Sequence, residues 1–344
     1  MKASDFLETL EELDDNEQID TLIDRDKRRL RYTPRNPKRQ SAGDANFVRT
    51  QDDSTRNFEF TYKAARFEEG WLLDSLGYFY EQHWISDVLR KIKAGKEASV
   101  YLCRSGEMVQ APYVAAKVYR PRMLRNLRND HVYQEGRPVL DEEGRTVVDV
   151  HALHAVIDRS HFGEQVRHQS WIAYEYEALQ ALHAAGVEVP RPYEKGHNAI
   201  LMDYLGDERM SAPTLNEVDL EPGEARPLFD RLWVNLDRML GTGRVHGDLS
   251  AYNVLYWGEQ IALIDFPQVI SPLGNRNAYS FFARDMARLC EYFIDQGLRL
   301  EPQRLARQLW TAHGYPVRAE VHPRFLDPDD PGDRRAWGQA ERAE

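Results

Sequence analysis

Val245-His246-Gly247-Asp248-Leu249-Ser250-Ala251-Tyr252-Asn253, followed by Ile261-Ala262-Leu263-Ile264-Asp265, is the stretch that decides how this chain is read. An Asp and an Asn stand five residues apart (253 − 248), and a second Asp ends an apolar strand twelve residues later (265 − 253). Phosphoryl transfer requires these residue types. One carboxylate orients or accepts the proton of an incoming hydroxyl, while an amide oxygen and a second carboxylate hold divalent metal against nucleotide phosphates. Residues 254–257 and 261–264 bracket Gly258-Glu259 and read as a hairpin that returns Asp265 to Asn253. Three unrelated surface acids and amides are the plain alternative, which the flanking apolar strands and turns disfavour.

Upstream, Lys117 sits inside the β-prone run Val114-Ala115-Ala116-Lys117-Val118-Tyr119. A lysine on such a strand needs a counter-charge or a phosphate partner. Glu175 is the natural mate, with Glu177 as the fallback; a snorkelling lysine at a lobe edge is the plain alternative. The crevice is expected to be partly solvated, so that Lys117→Ala would cost folding little. Ala94-Gly95-Lys96-Glu97-Ala98-Ser99-Val100-Tyr101 lies between two strand candidates, and Gly95 permits a tight turn that brings backbone N–H groups to phosphates. It is not a P-loop, because Arg90 stands at the first glycine position and Glu97 follows the lysine.

The remaining pattern is mixed. Phe67, Trp71, Leu72, Leu76, Phe79 and Tyr80 fit an amphipathic helix. Strands are expected over 85–93, 98–103, 113–119 and 199–204, and helices over 171–185, 228–240 and 280–296. This order predicts an α+β protein in two lobes with a crevice between them. Residues 121–168 are charged, His-rich and poorly periodic, and read as a long loop or insertion. Its His151, His154, His161 and His168 suggest zinc at the i, i+3 pair, yet no cysteine is near and solvated histidines are the preferred reading. His246 reads as a buried hydrogen-bonding residue, Cys290 as core, and Asp285 as either a brace of the 246–253 loop or a surface acid.

The chain has 344 residues and a formal charge of 45 − 56 = −11, with 42% apolar and 29% charged residues. That is globular material with enough apolar mass for a sizeable core. The acidic total argues against a general nucleic-acid coat protein. Two cysteines exclude a disulfide framework, and no apolar run reaches membrane-spanning length. The acidic amino terminus lacks an apolar signal core, so a cytoplasmic location is expected. Residues 1–24 carry nine acids, and Phe6, Leu7, Leu10 and Leu13 among them fit a short acidic amphipathic helix. Arg25, Lys27, Arg28, Arg29, Arg31, Arg35, Lys38 and Arg39 follow, and read as a solvated arm or as a contact for RNA or an acidic partner. The expected division is a flexible arm over 1–57, a helical extension over 58–84, one lobe over 85–205 with the insertion, a second over 206–321, and a frayed tail over 322–344.

Six pieces together resemble the RIO-type atypical serine/threonine protein kinases: AGKEASVY (94–101), AAKVYR (115–120), the helix start Trp171, Glu175 and Leu179, ILMDYLGD (200–207) with APTL (212–215), HGDLSAYN (246–253) and LIDFPQ (263–268). Their order runs through about residues 85–295. The GKEA-VY loop and Gln268 are the most family-specific parts, whereas Asp-x4-Asn is shared by many kinases. The resemblance implies a trimmed two-lobed protein-kinase-like fold with ATP between the lobes. It implies that Lys117 contacts the α- and β-phosphates and pairs with Glu175, and that Lys96 and Ser99 lie near the triphosphate. It places Met202 behind the adenine, with the Asp203–Leu205 backbone along the adenine edge. Asp248 would be the catalytic aspartate, and Asn253 and Asp265 would hold Mg²⁺. It further implies serine autophosphorylation or a protein substrate, transient phosphorylation of the metal-binding aspartate, and work on the small ribosomal subunit. The insertion looks longer than the family's loop, and no winged helix precedes the kinase region. Two other classes share parts of the pattern: small-molecule kinases of the aminoglycoside or choline type, and a slow ATP-binding switch acting on a ribonucleoprotein.

Overall fold

The computed structural model describes residues 58–95, 97–120, 137–158 and 160–317. The first described element is helix α1 (Arg66–Glu81). Leu72, Leu76 and Phe79 recur at helical spacing and are wholly buried. They pack with Phe58, Ile85, Val88 and Tyr101 into a first core, on the outer face of the sheet.

That sheet has five strands: β1 (Ile85–Ala94), β2 (Ala98–Ser105), β3 (Tyr113–Tyr119), β4 (Pro192–Lys195) and β5 (Ala199–Asp203). Their order is β1-β2-β3-β5-β4, and every neighbouring pair is antiparallel. Residues Val100, Lys117 and Ile200 fall in register across the three central strands. β4 is a four-residue edge strand that opens on proline. That is where a strand can spare an N–H, and its shortness hid it from the periodicity.

The chain between β3 and β4 departs from the sequence expectation. Within the expected insertion, residues 150–157 form helix α2 (Val150–Ile157), capped by Asp149, whose carboxylate accepts the His151 N–H at 2.8 Å. Helix α3 runs His161–Ala184, beginning ten residues before the expected start at 171. Its opening turns carry only Phe162, which is exposed, and Val166 as large apolar residues, and Ser160 caps them by accepting the Gly163 N–H at 3.1 Å. A Cβ at Gly163 would lie 1.8 Å from the Ala155 carbonyl, so glycine lets α2 cross α3 closely.

The carboxy-terminal part is mainly helical: α4 (Ala225–Gly241), α5 (Ala278–Asp295) and α6 (Pro302–Ala312), with single 3₁₀ turns at Leu215–Glu217 and Ala251–Asn253. The hairpin β6 (Val254–Trp257) and β7 (Gln260–Leu263) forms as expected. Helix α6, unforeseen in the sequence, buries Ala306, Leu309 and Trp310. A second core unites α3 with these helices through Leu182, Leu232, Leu289, Cys290 and Phe293. The fold is therefore α+β, with a sheet-based amino-terminal part and a helical carboxy-terminal part. Among the described residues no helix is long and apolar enough to cross a membrane.

Candidate active site

A cleft of 660 Å³ opens between the sheet and the helical part. Lys117, Glu175, Met202, Asp203, Leu205, Asp248, Asn253 and Asp265 all line it. Residues far apart in the sequence thus meet at one place.

Strand alternation sets the upper wall. Ala98 and Val100 of β2 and Ala115 and Lys117 of β3 line the cleft. Ser99, one position out of phase with Ala98 and Val100, is 2% exposed, does not line the cleft and is hydrogen-bonded to the Tyr101 hydroxyl of the outer core. The Gly95 N–H donates to the Ala98 carbonyl at 2.9 Å, so the turn itself consumes that donor. Lys96 lies outside the described residues, as do residues 25–39, on which an RNA or ribosomal contact was the expectation.

Lys117 Nζ donates to Glu175 Oε1 at 2.5 Å and to Asp265 Oδ1 at 2.7 Å. Burial works against its charge, but the Asp265 and Glu175 carboxylates outweigh that and raise its pKa. Glu175, 2% exposed, also accepts the Tyr119 hydroxyl at 2.6 Å on Oε2 and the Phe266 N–H at 3.3 Å on Oε1. Glu177, the fallback partner, instead sits beside Gly144 on the other side of α3.

The loop 245–253 is anchored from several sides. Val245 and Ile270 exchange backbone hydrogen bonds at 2.9 and 3.0 Å, which closes the whole segment between them. Gly247 has φ +85°, and a Cβ there would lie 2.4 Å from the Gln268 carbonyl; both conditions call for glycine. Asp285 of α5 accepts the Gly247 N–H at 2.8 Å and is 2% exposed, which makes it a brace and not a surface acid. Burial raises its carboxyl to about 7 against the lowering effect of the Leu249 and Gly247 N–H groups and Arg284. His246 is buried: its Nδ1 accepts the Asp248 N–H at 3.3 Å and its Nε2 lies 3.0 Å from the Ile264 carbonyl. An accepting Nδ1 assigns the proton to Nε2. Burial lowers the ring's pKa, in keeping with a neutral imidazole.

Asn253 Nδ2 donates to the Asp248 carbonyl at 2.8 Å, which leaves Oδ1 as its acceptor end. The Ile264 N–H donates to the Asn253 carbonyl at 3.0 Å, which brings the residue before Asp265 against the 3₁₀ turn. Asp265 is half-exposed and adopts φ +71°, uncommon for a residue with a side chain. Desolvation would raise its carboxyl, but the charge and hydrogen bond of Lys117 hold it below the usual range. One carboxylate and one amide oxygen at a cleft mouth suit Mg²⁺, which takes one or two protein oxygens and completes its shell with phosphates and water. Among the described residues no group of three His, Cys, Asp or Glu side chains is placed to hold a metal. The zinc reading of the insertion gains no support: His168 instead lies 2.9 Å from the Asn198 side-chain oxygen.

Met202 is buried at the back of the cleft. The Asp203 side chain turns to β4, accepting the Tyr193 hydroxyl at 2.5 Å and the Arg191 N–H at 3.1 Å, and its own N–H donates to the Arg191 carbonyl at 2.9 Å, which leaves its main-chain carbonyl as the group to offer a ligand. Sequence reading missed two arginines of α5. Arg288 Nη1 donates to Asp248 Oδ1 at 2.6 Å, and Arg284 donates to the Gly247 carbonyl. Their four-residue spacing on a helix opposite Met286 and Leu289 was the available signal.

With this geometry in place, the sequence matches the RIO domain family over residues 100–305. The chain belongs to the RIO family. It is 29% identical to the RIO-type serine/threonine-protein kinase Rio1 of Haloferax volcanii over 206 residues, 60% of this chain and 63% of that protein. It is also 29% identical to the serine/threonine-protein kinase RIO1 of Chaetomium thermophilum, over 62% of this chain and 40% of that protein. The chain thus spans under two thirds of the length of both. Among solved structures it is similar to the Rio2 kinase of Chaetomium thermophilum, with a TM-score of 0.48 and 17% identity over 80% of this chain and 78% of that one. RIO membership accounts for the α+β, protein-kinase-like architecture and weighs against the aminoglycoside or choline kinase alternative.

Proposed function

We propose that the protein is an ATP-dependent phosphotransferase of the RIO serine/threonine kinase type, active on serine in itself or in a protein substrate. The observation that carries this reading is the single cleft in which Lys117 bridges Glu175 and Asp265 while Asp248 and Asn253 line the same wall.

ATP is the substrate, with its adenine against Met202 and the main chain of Asp203 and Leu205. Lys117, kept charged by its two carboxylates, stabilises negative charge on the phosphates, and Glu175 fixes its position. Asn253 Oδ1 and the Asp265 carboxylate are the residues that would hold Mg²⁺. That metal would supply positive charge to offset the phosphates. Asp248 receives the proton of the acceptor hydroxyl as its oxygen bonds to phosphorus. The neutral His246 holds the Asp248 backbone, and Asp285 holds Gly247. Where no acceptor hydroxyl arrives, Asp265 is the nearest carboxylate able to take the phosphoryl group. A cytoplasmic setting is part of the proposal, and so is contact with a ribonucleoprotein, for which the basic run of residues 25–39 is the support.

The test is incubation with γ-labelled ATP and Mg²⁺. Label on serine supports the kinase reading, and label on aspartate or as free phosphate supports ATPase turnover. No transfer by a folded protein overturns both. Calorimetry assigns the roles: Asn253→Ala and Asp265→Ala should weaken Mg²⁺-dependent nucleotide binding, while Asp248→Ala should leave it intact and abolish transfer to a hydroxyl.

A further inference from the structure

The segment that follows Asp265 has no regular secondary structure, yet it is held at several points. Arg137, within the insertion between β3 and α3, donates through Nη1 to the Pro267 carbonyl at 3.0 Å and through Nη2 to the Val269 carbonyl. Its guanidinium lies over the Tyr174 ring, 4.8 Å from the centroid. Trp171 Nε1 donates to the same Pro267 carbonyl at 3.3 Å. Trp171 and Tyr174 stand on α3, one turn or less before Glu175, and Glu175 takes the Phe266 N–H. The insertion, helix α3 and the segment 266–269 therefore form one joint.

We propose that Arg137 is a positioning residue for Asp265: the insertion, through this one side chain, fixes the path of the segment on which the metal-binding carboxylate depends. The proposal rests on the reading of Asp265 given above. Asp265 sits at φ +71°, and such a conformation persists only where its neighbours over-determine it. The upstream side is fixed by the Ile264–Asn253 hydrogen bond and by His246 on the Ile264 carbonyl. The downstream side is fixed by Glu175, Trp171 and Arg137. Of these, Arg137 alone spans two carbonyls, two residues apart, and so sets a direction as well as a point. A planar fork that also stacks on an aromatic ring is a task for arginine. Lysine can offer a single point donor and no comparable stacking.

A purely structural anchor for the insertion would share these contacts, so the test must read the metal site and not only the fold. Nucleotide binding to the full chain is measured by calorimetry with a non-hydrolysable ATP analogue, across a Mg²⁺ series and in chelator. Arg137→Ala should leave metal-free nucleotide affinity within about twofold of wild type. It should raise the Mg²⁺ needed for half-maximal enhancement about tenfold, with Arg137→Lys in between. Hydrogen exchange at 266–270 should quicken in Arg137→Ala. An Arg137→Ala protein with wild-type Mg²⁺ dependence and wild-type exchange at 266–270 overturns the proposal. If Arg137→Ala does not fold, Arg137→Lys and Tyr174→Leu are judged by the same two readouts. A wild-type protein with no Mg²⁺ enhancement refutes the reading of Asp265 instead. Exchange at 266–270 then decides whether Arg137 fixes that segment.

Discussion

Arg288 Nη1 donates to Asp248 Oδ1 at 2.6 Å, and both side chains are 44% exposed. An ion pair that open to water is worth between nothing and about 1 kcal/mol. An arriving hydroxyl can therefore displace Arg288 from Asp248 at small cost. Arg288→Gln is expected to change stability by less than about 1 kcal/mol, to leave nucleotide affinity unchanged, and to alter transfer no more than about fivefold. Asp248→Asn, by contrast, should cost about two to four orders of magnitude in transfer rate. Denaturation curves and single-turnover transfer with labelled ATP separate the two. A collapse of transfer in Arg288→Gln as deep as in Asp248→Asn would show Arg288 to be indispensable to the chemistry.

The pair between Lys117 and Glu175 is of the opposite kind. The two side chains are 11% and 2% exposed. Lys117→Ala would strand Glu175 with only the Tyr119 hydroxyl and Phe266 N–H as partners. Breaking such a pair on one side typically costs about 3–5 kcal/mol. The expectation of a cheap substitution in a solvated crevice therefore gives way to one of marked destabilisation. Lys117→Met should lower transfer by about two to three orders of magnitude and reduce the unfolding free energy. Lys117→Met with Glu175→Gln should recover most of the stability and none of the activity. Urea denaturation and transfer assays on the three proteins check both halves.

How much of this was legible in the sequence follows from the range of the interactions. Lys117 on an apolar strand, Asp248-x4-Asn253 and the hairpin leading to Asp265 are local patterns, and the structure brings all of them to one cleft. Glu175 could be named, with Glu177 as the fallback, because a lysine on an apolar strand needs a counter-charge or a phosphate partner. Ser99 lies out of phase with Ala98 and Val100, which take the cleft face of β2, a consequence of strand alternation that proximity along the loop does not reveal. The first turns of α3 were missed because packing on α2 and a serine cap stabilise them, and neither leaves an apolar stripe. Arg137 and Arg288 act across 130 and 40 residues; the sequence marks Arg288 as lying on the polar face of its helix, but it names the partner of neither.

Asp285 supplies a pH test. Its folded pKa is about 7, above the usual carboxyl value, because burial favours the neutral acid. Its contribution to stability is therefore fully present below about pH 4, falls as pH rises, and levels off above about 7. The steepest slope for one proton is about 1.4 kcal/mol per pH unit. Asp285→Asn keeps an acceptor for the Gly247 N–H but cannot ionise. The difference in unfolding free energy between wild type and Asp285→Asn should thus shift against the wild type between pH 4 and 7. A difference that stays flat over that window would show that Asp285 titrates as an ordinary carboxylate.

Asp265 combines three properties that seldom coincide in a structural ligand. It is half-exposed at the cleft, it is held ionised by Lys117 2.7 Å away, and its backbone is fixed at a positive φ. An ionised carboxylate so placed is a competent nucleophile toward phosphorus. Its oxygen would bond to the γ-phosphorus as the bond to the ADP oxygen breaks, giving an acyl phosphate that water then cleaves to carboxylate and phosphate. Label from γ-labelled ATP trapped by rapid acid quench should therefore be released by hydroxylamine, and it should be missing in Asp265→Asn. Phosphoserine survives hydroxylamine, so trapped label that resists it and maps to serine alone would exclude the aspartyl route and leave direct transfer to a hydroxyl. In that case Asp248→Ala should abolish all labelling. On the aspartyl route it should spare the hydroxylamine-sensitive fraction, because attack by a carboxylate releases no proton for Asp248 to take up.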